Sequence, residues 1–208
     1  MAGVSVHAPL DVRRLGLGEG LRQRLPQGLG GMVPPLAALT LALAAAAPAA
    51  RALELGGRTQ FVRAPWKVTL TSYTTNVGQS PAEYFFTLSL DERAGASLGG
   101  MTIQQTRGAD WQFPFAVERT RAFLGVPRRE GRRIPVEAAF DPAARRFSLS
   151  FPEPVPPGAT VTVSLRPWFN PVQADTYLFQ VTAIPAGPEP VASPVGVGTL
   201  RIYQPNEW

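Results

Sequence analysis

Imidazole and thiol side chains are almost absent from this chain of 208 residues. It contains no cysteine, and its single histidine is His7, close to the N-terminus. The rest of the chain therefore lacks the usual ligands of zinc and copper and the base of a Ser-His-Asp triad. We expect no metal site, no cofactor, no disulfide framework and no catalysis by histidine or cysteine.

Paired carboxylates are the catalytic arrangement that this composition leaves open, since a glycosidase needs only two of them. Asp110 and Glu118 flank the aromatic segment "DWQFPF", and Glu137 and Asp141 flank "AAF". Their spacing does not predict that any two face each other, and acidic side chains beside strands are usually solvated. A histidine-free hydrolase is therefore the second alternative, after two binding functions.

Arginine is concentrated in the segment "RREGRR", in which Glu130-Gly131 is expected to form a tight turn. Four guanidinium groups would then lie at one hairpin tip, where they suit an acidic partner, a phosphate or an anionic membrane surface. The other interpretation is a solvated turn that prevents edge-to-edge aggregation. The residues of this candidate site are Arg128, Arg129, Arg132 and Arg133.

Large aromatic residues near strand ends form the third candidate site. Trp168 and Phe169 stand in "RPWFNP", where Asn170-Pro171 would fix the loop, and Trp111 stands in "DWQFPF". Such rings stack on sugars or anchor a protein partner. The alternative interpretation is that they cover the open ends of a hydrophobic core.

Short alternating segments separated by turn formers predict the elements that hold these side chains. Seven segments have this character, and no stretch of twelve residues after position 52 keeps a helical period; the best helix candidate is a turn or two over 115–121. The segment "PEPVPPG" at 152–158 predicts a rigid turn. The predicted strands are "WKVTLTSYTT", "AEYFFTLSL", "GGMTIQQT", "RRFSLSF", "ATVTVSL", "TYLFQVTAI" and "GVGTLRIY".

The number of strands and the frequency of turns predict the fold class. Proline (22) and glycine (20) are abundant, as in β proteins rich in turns. About seven short strands over residues 53–208 indicate an all-β domain, an antiparallel two-sheet sandwich of immunoglobulin-like or Greek-key type. An eight-stranded barrel is the structural alternative.

Residues 1–52 have the pattern of a secretory signal. Basic residues come first, an uncharged and mostly alanine stretch follows at 36–50, and Ala50-Arg51-Ala52 fits a small-residue cleavage site. The apolar stretch is shorter than a bilayer span requires. We therefore predict a helical leader over 1–52, cleaved before a mature domain at 53–208 that has no transmembrane segment; translation from Met32 and an uncleaved anchor remain open.

The predicted cleavage changes the charge of the protein. Five of the 20 basic residues and two of the 15 acidic residues lie in the leader, so the net charge falls from +5 to +2. The basicity of the whole chain is therefore no argument for nucleic-acid binding, and we expect no nucleic-acid partner.

Four segments occur in an order that resembles a known family. They are "MTIQQTRGAD", "ERTRAFLG", "FDPAARRFSLSFPEPVPPGATVTVSLRPWFNP" and "TYLFQVTAIPAG". Together they are similar to the exported cyanobacterial proteins grouped as domain of unknown function 2808, over residues 59–204. The resemblance implies a signal peptide, a periplasmic or thylakoid-lumen location and a small β domain. It implies no activity and no catalytic residues.

These observations favour a binding function over catalysis. The first hypothesis is an exported, non-enzymatic β-sandwich that binds a protein or assembles at an extracytoplasmic membrane surface. The alternative is a carbohydrate-binding module for polysaccharide that uses Trp168, Phe169 and Trp111.

Overall fold

The structure, a computed structural model, describes residues 53–55 and 57–205. The leader predicted over 1–52 lies outside the described residues. In the part described, no helix has the length and hydrophobicity that crossing a membrane requires. The elements are β1 (Leu53–Leu55), β2 (Arg58–Gln60), β3 (Val68–Thr71), β4 (Tyr84–Ser89), β5 (Leu98–Arg107), a 3-10 helix (Val117–Arg119), β6 (Arg121–Val126), β7 (Arg129–Ile134), β8 (Glu137–Asp141), β9 (Arg146–Val155), β10 (Thr160–Leu165), β11 (Asp175–Pro185) and β12 (Ser193–Ile202).

Ten of these strands form two antiparallel sheets of five strands each. The first sheet has the order β3-β4-β10-β6-β7, and the second has the order β12-β11-β5-β9-β8. Strands β1 and β2 pair with each other as a separate ribbon. The predicted all-β, two-sheet sandwich is confirmed, and the two sheets do not close into a barrel.

The alternation of side chains decides which face of each strand fills the core. In β10, Val161, Val163 and Leu165 are buried between the sheets, and burying each such side chain stabilises the fold by about 1.5–3 kcal/mol. Phe86 of β4 meets Phe179 of β11 edge-on, with 5.6 Å between the ring centroids. Contacts of this kind join the first sheet to the second.

Strands β1, β2, β6, β7 and β8 were not predicted from the sequence. The helix predicted over 115–121 is reduced to the three-residue 3-10 helix, and β6 begins two residues later at Arg121. Strand β7 is exposed along nearly all its length, so it lacks the apolar alternation that reveals a half-buried strand.

The predicted turn at Glu130-Gly131 is wrong, because both residues lie within β7. The β6–β7 hairpin turns at Pro127-Arg128, where proline fixes one φ and Arg128 has a φ of 67°, as a type II turn requires. Gly131 instead lies in a β-bulge, where the register between β6 and β7 shifts by one residue. A Cβ atom there would lie 2.9 Å from the Leu124 carbonyl oxygen.

The rigid turn predicted over "PEPVPPG" is shorter than expected, since β9 continues to Val155. Proline is tolerated in this strand because the ladder to β5 is interrupted there. Leu98 pairs with Val155 and Gly100 pairs with Ser150, so the residues between them form a bulge that needs no amide donors.

The β6–β7 hairpin bends across the outer face of the first sheet. Thr162 donates a hydrogen bond through Oγ1 to the Gly125 carbonyl oxygen at 2.7 Å. Arg121 pairs with Glu130 at 3.3 Å, and Phe123 on this outer face is fully buried. The hairpin therefore covers a face that would otherwise be open to solvent.

Candidate functional site

Three loops meet at one end of the sandwich, and Asn170 connects two of them. Its Nδ2 donates hydrogen bonds to the carbonyl oxygens of Thr74 and Asn76, both at 3.0 Å. Its Oδ1 accepts one from the Tyr84 hydroxyl at 2.8 Å, and its backbone N–H donates to the Gln79 carbonyl at 2.9 Å. Because Asn170 is completely buried, these bonds tie the β10–β11 loop to the β3–β4 loop.

Trp168 is held by its backbone, while its ring stays half exposed. The backbone N–H donates to the Pro114 carbonyl at 3.0 Å, and the carbonyl accepts a hydrogen bond from Ser80 Oγ at 2.8 Å. The Arg119 guanidinium lies over the indole ring at 4.7 Å from its centroid. A bulky ring is thus presented to solvent in a fixed position.

A cavity of about 470 Å³ opens between these loops, with a wall that is mostly apolar. Its size suits one large side chain or one sugar ring. We call it the aromatic–arginine cavity; its main lining residues are Tyr73, Glu83, Phe85, Arg119, Arg166 and Trp168.

Glu83 organises the cations of this cavity through one carboxylate oxygen. Its Oε1 accepts hydrogen bonds from Arg121 Nη2 at 2.9 Å, from Arg166 Nε at 3.1 Å and from the Ser164 hydroxyl. Burial alone would raise the pKa of Glu83, but hydrogen bonds from Ser164, Arg166 and Arg121 outweigh it and hold the pKa below its ordinary 4.5. The carboxylate is therefore ionised at neutral pH.

This network predicts a loss of stability in acid. A carboxyl whose pKa is lower in the folded state stabilises that state above its unfolded pKa, and this contribution disappears as the pH falls through the folded value. We expect Glu83→Gln to lower the free energy of unfolding by about 1–2 kcal/mol at pH 7. The difference from the wild type should shrink below pH 4.5.

Urea unfolding between pH 3 and pH 8 measures this difference. Glu118→Gln is the matched control, because its carboxylate is 68% exposed and pairs with Arg119 only at 3.8 Å. A deficit of Glu83→Gln that stays constant down to pH 3 would contradict the assignment.

A second cavity, of about 520 Å³, lies beside the β5–β6 loop. Asp110 shapes it by accepting backbone hydrogen bonds from Gln112 at 2.9 Å and from Val172 at 3.1 Å. Trp111 and Phe169 both line this cavity, whereas Trp168 lines the aromatic–arginine cavity. The structure thus divides the three predicted aromatic residues between two neighbouring sites.

The four arginines of the predicted cationic site are exposed, but they do not form one tip. Arg128 lies over the Tyr73 ring at 3.9 Å, and Arg132 pairs with Glu153 at 2.9 Å. Arg129 and Arg133 make no ion pair within residues 57–205. Only Arg128 thus adjoins the aromatic–arginine cavity, through Tyr73.

Two of the four candidate carboxylates, Asp141 and Asp110, accept hydrogen bonds from the backbone around them. Asp141 accepts backbone hydrogen bonds from Ala143 and Ala144 at 2.9 and 3.1 Å, which shapes the turn after β8. Asp110 shapes the second cavity as described above. Neither cavity holds two of these four residues, so the geometry does not favour the hydrolase alternative.

Of the six main lining residues of the aromatic–arginine cavity, only Trp168 was predicted from the sequence. Arg166 stands two residues before Trp168 in "RPWFNP", and this proximity is its one signal in the sequence. Tyr73, Glu83 and Arg119 come from two other loops and have none. Their proximity depends on the pairing of β4 with β10 and on the loop contacts of Asn170.

Comparison with known sequences gives a family match. The family model described as "Protein of unknown function (DUF2808)" matches residues 58–202, which confirms the resemblance of the four motifs. No curated protein matches the chain.

Several solved domains are similar in structure at low identity. The collagen-binding domain from a Staphylococcus aureus adhesin has a TM-score of 0.37 and 6% identity, over 68% of this chain and 100% of that chain. The RrgA Jo.In complex has a TM-score of 0.39 and 13% identity, over 72% of this chain and 89% of that chain. The C-terminal domain of the Streptococcus pyogenes antigen I/II-family protein AspA has a TM-score of 0.39 and 12% identity, over 65% of this chain and 47% of that chain. Similarity at this level says nothing about the ligand of this chain.

Proposed function

We propose that this chain, which belongs to the DUF2808 family, is an exported, non-enzymatic binding module. It acts at an extracytoplasmic membrane surface, in the periplasm or the thylakoid lumen. It recognises a protein partner through the aromatic–arginine cavity.

The fixed, exposed rings of that cavity carry the proposal. Tyr73 and Trp168 are 49% and 48% exposed, and each has an arginine guanidinium over its ring. Tryptophan, tyrosine and arginine are the residues that contribute most to protein interfaces, above all where they are fixed before binding. A rigid loop that holds such rings in solvent is better explained by a partner than by core packing.

The export part of the proposal rests on the pattern of residues 1–52. Basic residues, an uncharged stretch at 36–50 and small residues before Leu53 stand in the order of a secretory signal. The absence of cysteine and histidine downstream supports a binding function, because common catalytic groups are missing.

Affinity capture from a cyanobacterial host tests both parts together. The full chain with a C-terminal tag should be recovered from the extracytoplasmic fraction, with an N-terminus near Leu53 and a protein partner bound. Trp168→Ala should lose that partner. Trp66→Ala is the matched control, since this 82% exposed tryptophan lies outside both cavities.

Two results would contradict the proposal. One is recovery of the chain only as a free monomer; the other is equal retention of the partner by Trp168→Ala and the wild type. Recovery in the cytoplasm with residues 1–52 intact would contradict export alone.

Polysaccharide binding at the second cavity is the other candidate function. Trp111 is 46% exposed and shares that cavity with Phe169, and two neighbouring rings suit stacking on sugars. If this site is the functional one, Trp111→Ala rather than Trp168→Ala removes the response of tryptophan fluorescence to a panel of glycans.

A further inference from the structure

The polar groups of the aromatic–arginine cavity are mainly guanidinium nitrogens without acceptors. Arg166 uses only Nε, which donates to Glu83, and both its Nη atoms make no hydrogen bond to residues 53–55 or 57–205. The Arg119 side chain makes none within that same part of the chain, and its ion pair with Glu118 is long, at 3.8 Å. The two cations are 40% and 56% exposed and have donors available to a ligand.

Two of the neutral hydrogen-bonding groups in the cavity, Ser80 Oγ and the Thr74 carbonyl, are already occupied. Ser80 Oγ donates to the Trp168 carbonyl, and the Thr74 carbonyl accepts from both Asn170 and Ser72. A sugar is usually recognised through many such neutral groups around its hydroxyls. This cavity instead offers arginine forks, which match the geometry of a carboxylate.

The charge around the cavity is positive on balance. Two arginines line the cavity, and two more contact its lining residues Glu83 and Tyr73. Three carboxylates oppose these four cations, and Arg121 pairs with two of the three. The cations are Arg119, Arg121, Arg128 and Arg166, and the anions are Glu83, Glu118 and Glu130. An anionic ligand is therefore the complementary one.

The apolar wall of the cavity indicates that the ligand also carries an apolar group. Tyr73 and Trp168 present large ring surfaces, Phe85 lies beneath Tyr73 with 5.9 Å between ring centroids, and Pro81 and Pro167 complete the wall. A free carboxylate or phosphate would leave this surface in water, whereas an apolar side chain would cover it. The occupant thus combines an apolar group with a negative charge.

On the basis of the proposed function, we propose that the cavity binds an acidic peptide segment of the partner protein. An aromatic or large aliphatic side chain of the segment lies against Tyr73 and Trp168. A carboxylate beside it in sequence binds Arg119 and the Nη atoms of Arg166. Glu83 accepts a hydrogen bond from Arg166 Nε and does not contact the peptide.

Titration of the purified full chain with defined peptides tests this assignment. The probe is a capped pentapeptide with phenylalanine between two glutamates, compared with its glutamine counterpart and with oligogalacturonate. Isothermal calorimetry at 50 and 300 mM NaCl gives the affinities. We expect the acidic peptide to bind at least tenfold more tightly than the neutral one at low salt, because charge-assisted hydrogen bonds are lost with the carboxylates.

Variants separate the contributions of the side chains. Arg119→Gln should lower the affinity for the acidic peptide about tenfold and leave the affinity for the neutral peptide unchanged. The matched control is Arg93→Gln, an exposed arginine in the loop at the far end of β4, which should change nothing. Glu83→Gln should keep or increase the affinity, since it removes a negative charge beside the carboxylate site.

Three results would overturn the assignment. They are equal binding of the acidic and neutral peptides, binding of oligogalacturonate but not of the acidic peptide, and loss of binding in Glu83→Gln with an intact fold. If no probe binds while the captured partner still depends on Trp168, the acidic-peptide chemistry is wrong and the proposed function stands. If the partner does not depend on Trp168, the proposed function fails as well.

Discussion

Asn170→Asp is expected to lower the free energy of unfolding by about 3–5 kcal/mol at pH 7, because it places a carboxylate in a buried site built for an amide. Asn170 donates to the carbonyl oxygens of Thr74 and Asn76 and accepts from Tyr84. Aspartate keeps only the acceptor role. Two carbonyl oxygens would then face a buried negative charge without a donor between them.

The pH dependence of this variant has a definite sign. Burial beside two carbonyl oxygens raises the pKa of the introduced carboxyl in the folded state, so protonation favours folding. The stability lost at neutral pH should therefore return in part as the pH falls toward the unfolded pKa of about 3.9. Tyr84 remains a donor throughout, because burial raises its pKa above the ordinary value of 10.0.

Urea unfolding followed by tryptophan fluorescence measures the effect, and Asn76→Asp is the matched control. Asn76 is exposed, and its side chain makes no hydrogen bond to the described residues, so the same chemical change should cost less than about 0.5 kcal/mol there. Equal effects at the two positions would show that Asn170 does not connect the loops. We also expect the two loops to lose hydrogen-exchange protection in Asn170→Asp before the sheets do.

Alternation in the sequence predicted the central strands because apolar residues occupy every second position, which faces the core between the sheets. Tyr84, Phe86 and Leu88 alternate along β4 and are all fully buried. In β10, Thr162 and Ser164 alternate with the core valines and lie on the other face, yet they are buried too. Their burial comes from the β6–β7 hairpin and from Glu83, neither of which a local pattern reveals.

The edge strand β7 and the cavity were not predicted, for a related reason. Strand β7 lies at the edge of its sheet and carries charged side chains, so its sequence has the polar character of a loop. The bulge at Gly131 then bends the hairpin so that Arg128 reaches Tyr73. A cavity formed by residues from three loops depends on these tertiary contacts, so Trp168 was the one main lining residue that the sequence analysis predicted as a site residue.

Arg145 is a buried cation without a carboxylate partner in the described residues, and it donates a hydrogen bond to Phe113 of the second cavity. It is 5% exposed, and the structure gives it no ion pair within residues 57–205. Its Nε and Nη2 donate to Gln105 Oε1 at 3.2 Å, and its Nη1 donates to the Phe113 carbonyl at 3.1 Å. Gln105 in turn donates to the Asp110 carbonyl at 2.9 Å.

Aromatic rings supply the rest of the environment of this guanidinium. The ring centroids of Phe113, Phe140 and Phe115 lie 4.6, 5.2 and 5.4 Å from its central carbon. Burial lowers the pKa of Arg145, and the charge of Asp110 opposes that shift. An arginine nevertheless stays protonated at neutral pH, so the fold depends on a planar cation that can stack and donate at once.

Arg145→Lys is therefore expected to be more damaging than Arg145→Met, although lysine keeps the charge. An ammonium cannot reach both acceptors or stack on the rings, so a buried charge is left with fewer partners, at a cost of about 3–5 kcal/mol. Methionine leaves two acceptors unpaired but removes the buried charge, at about 1–3 kcal/mol. Arg146→Lys, at the exposed neighbouring position, should stay within about 0.5 kcal/mol of the wild type. Urea unfolding of the three variants gives the order directly, and a lysine variant as stable as the wild type would show that charge alone is required at this position.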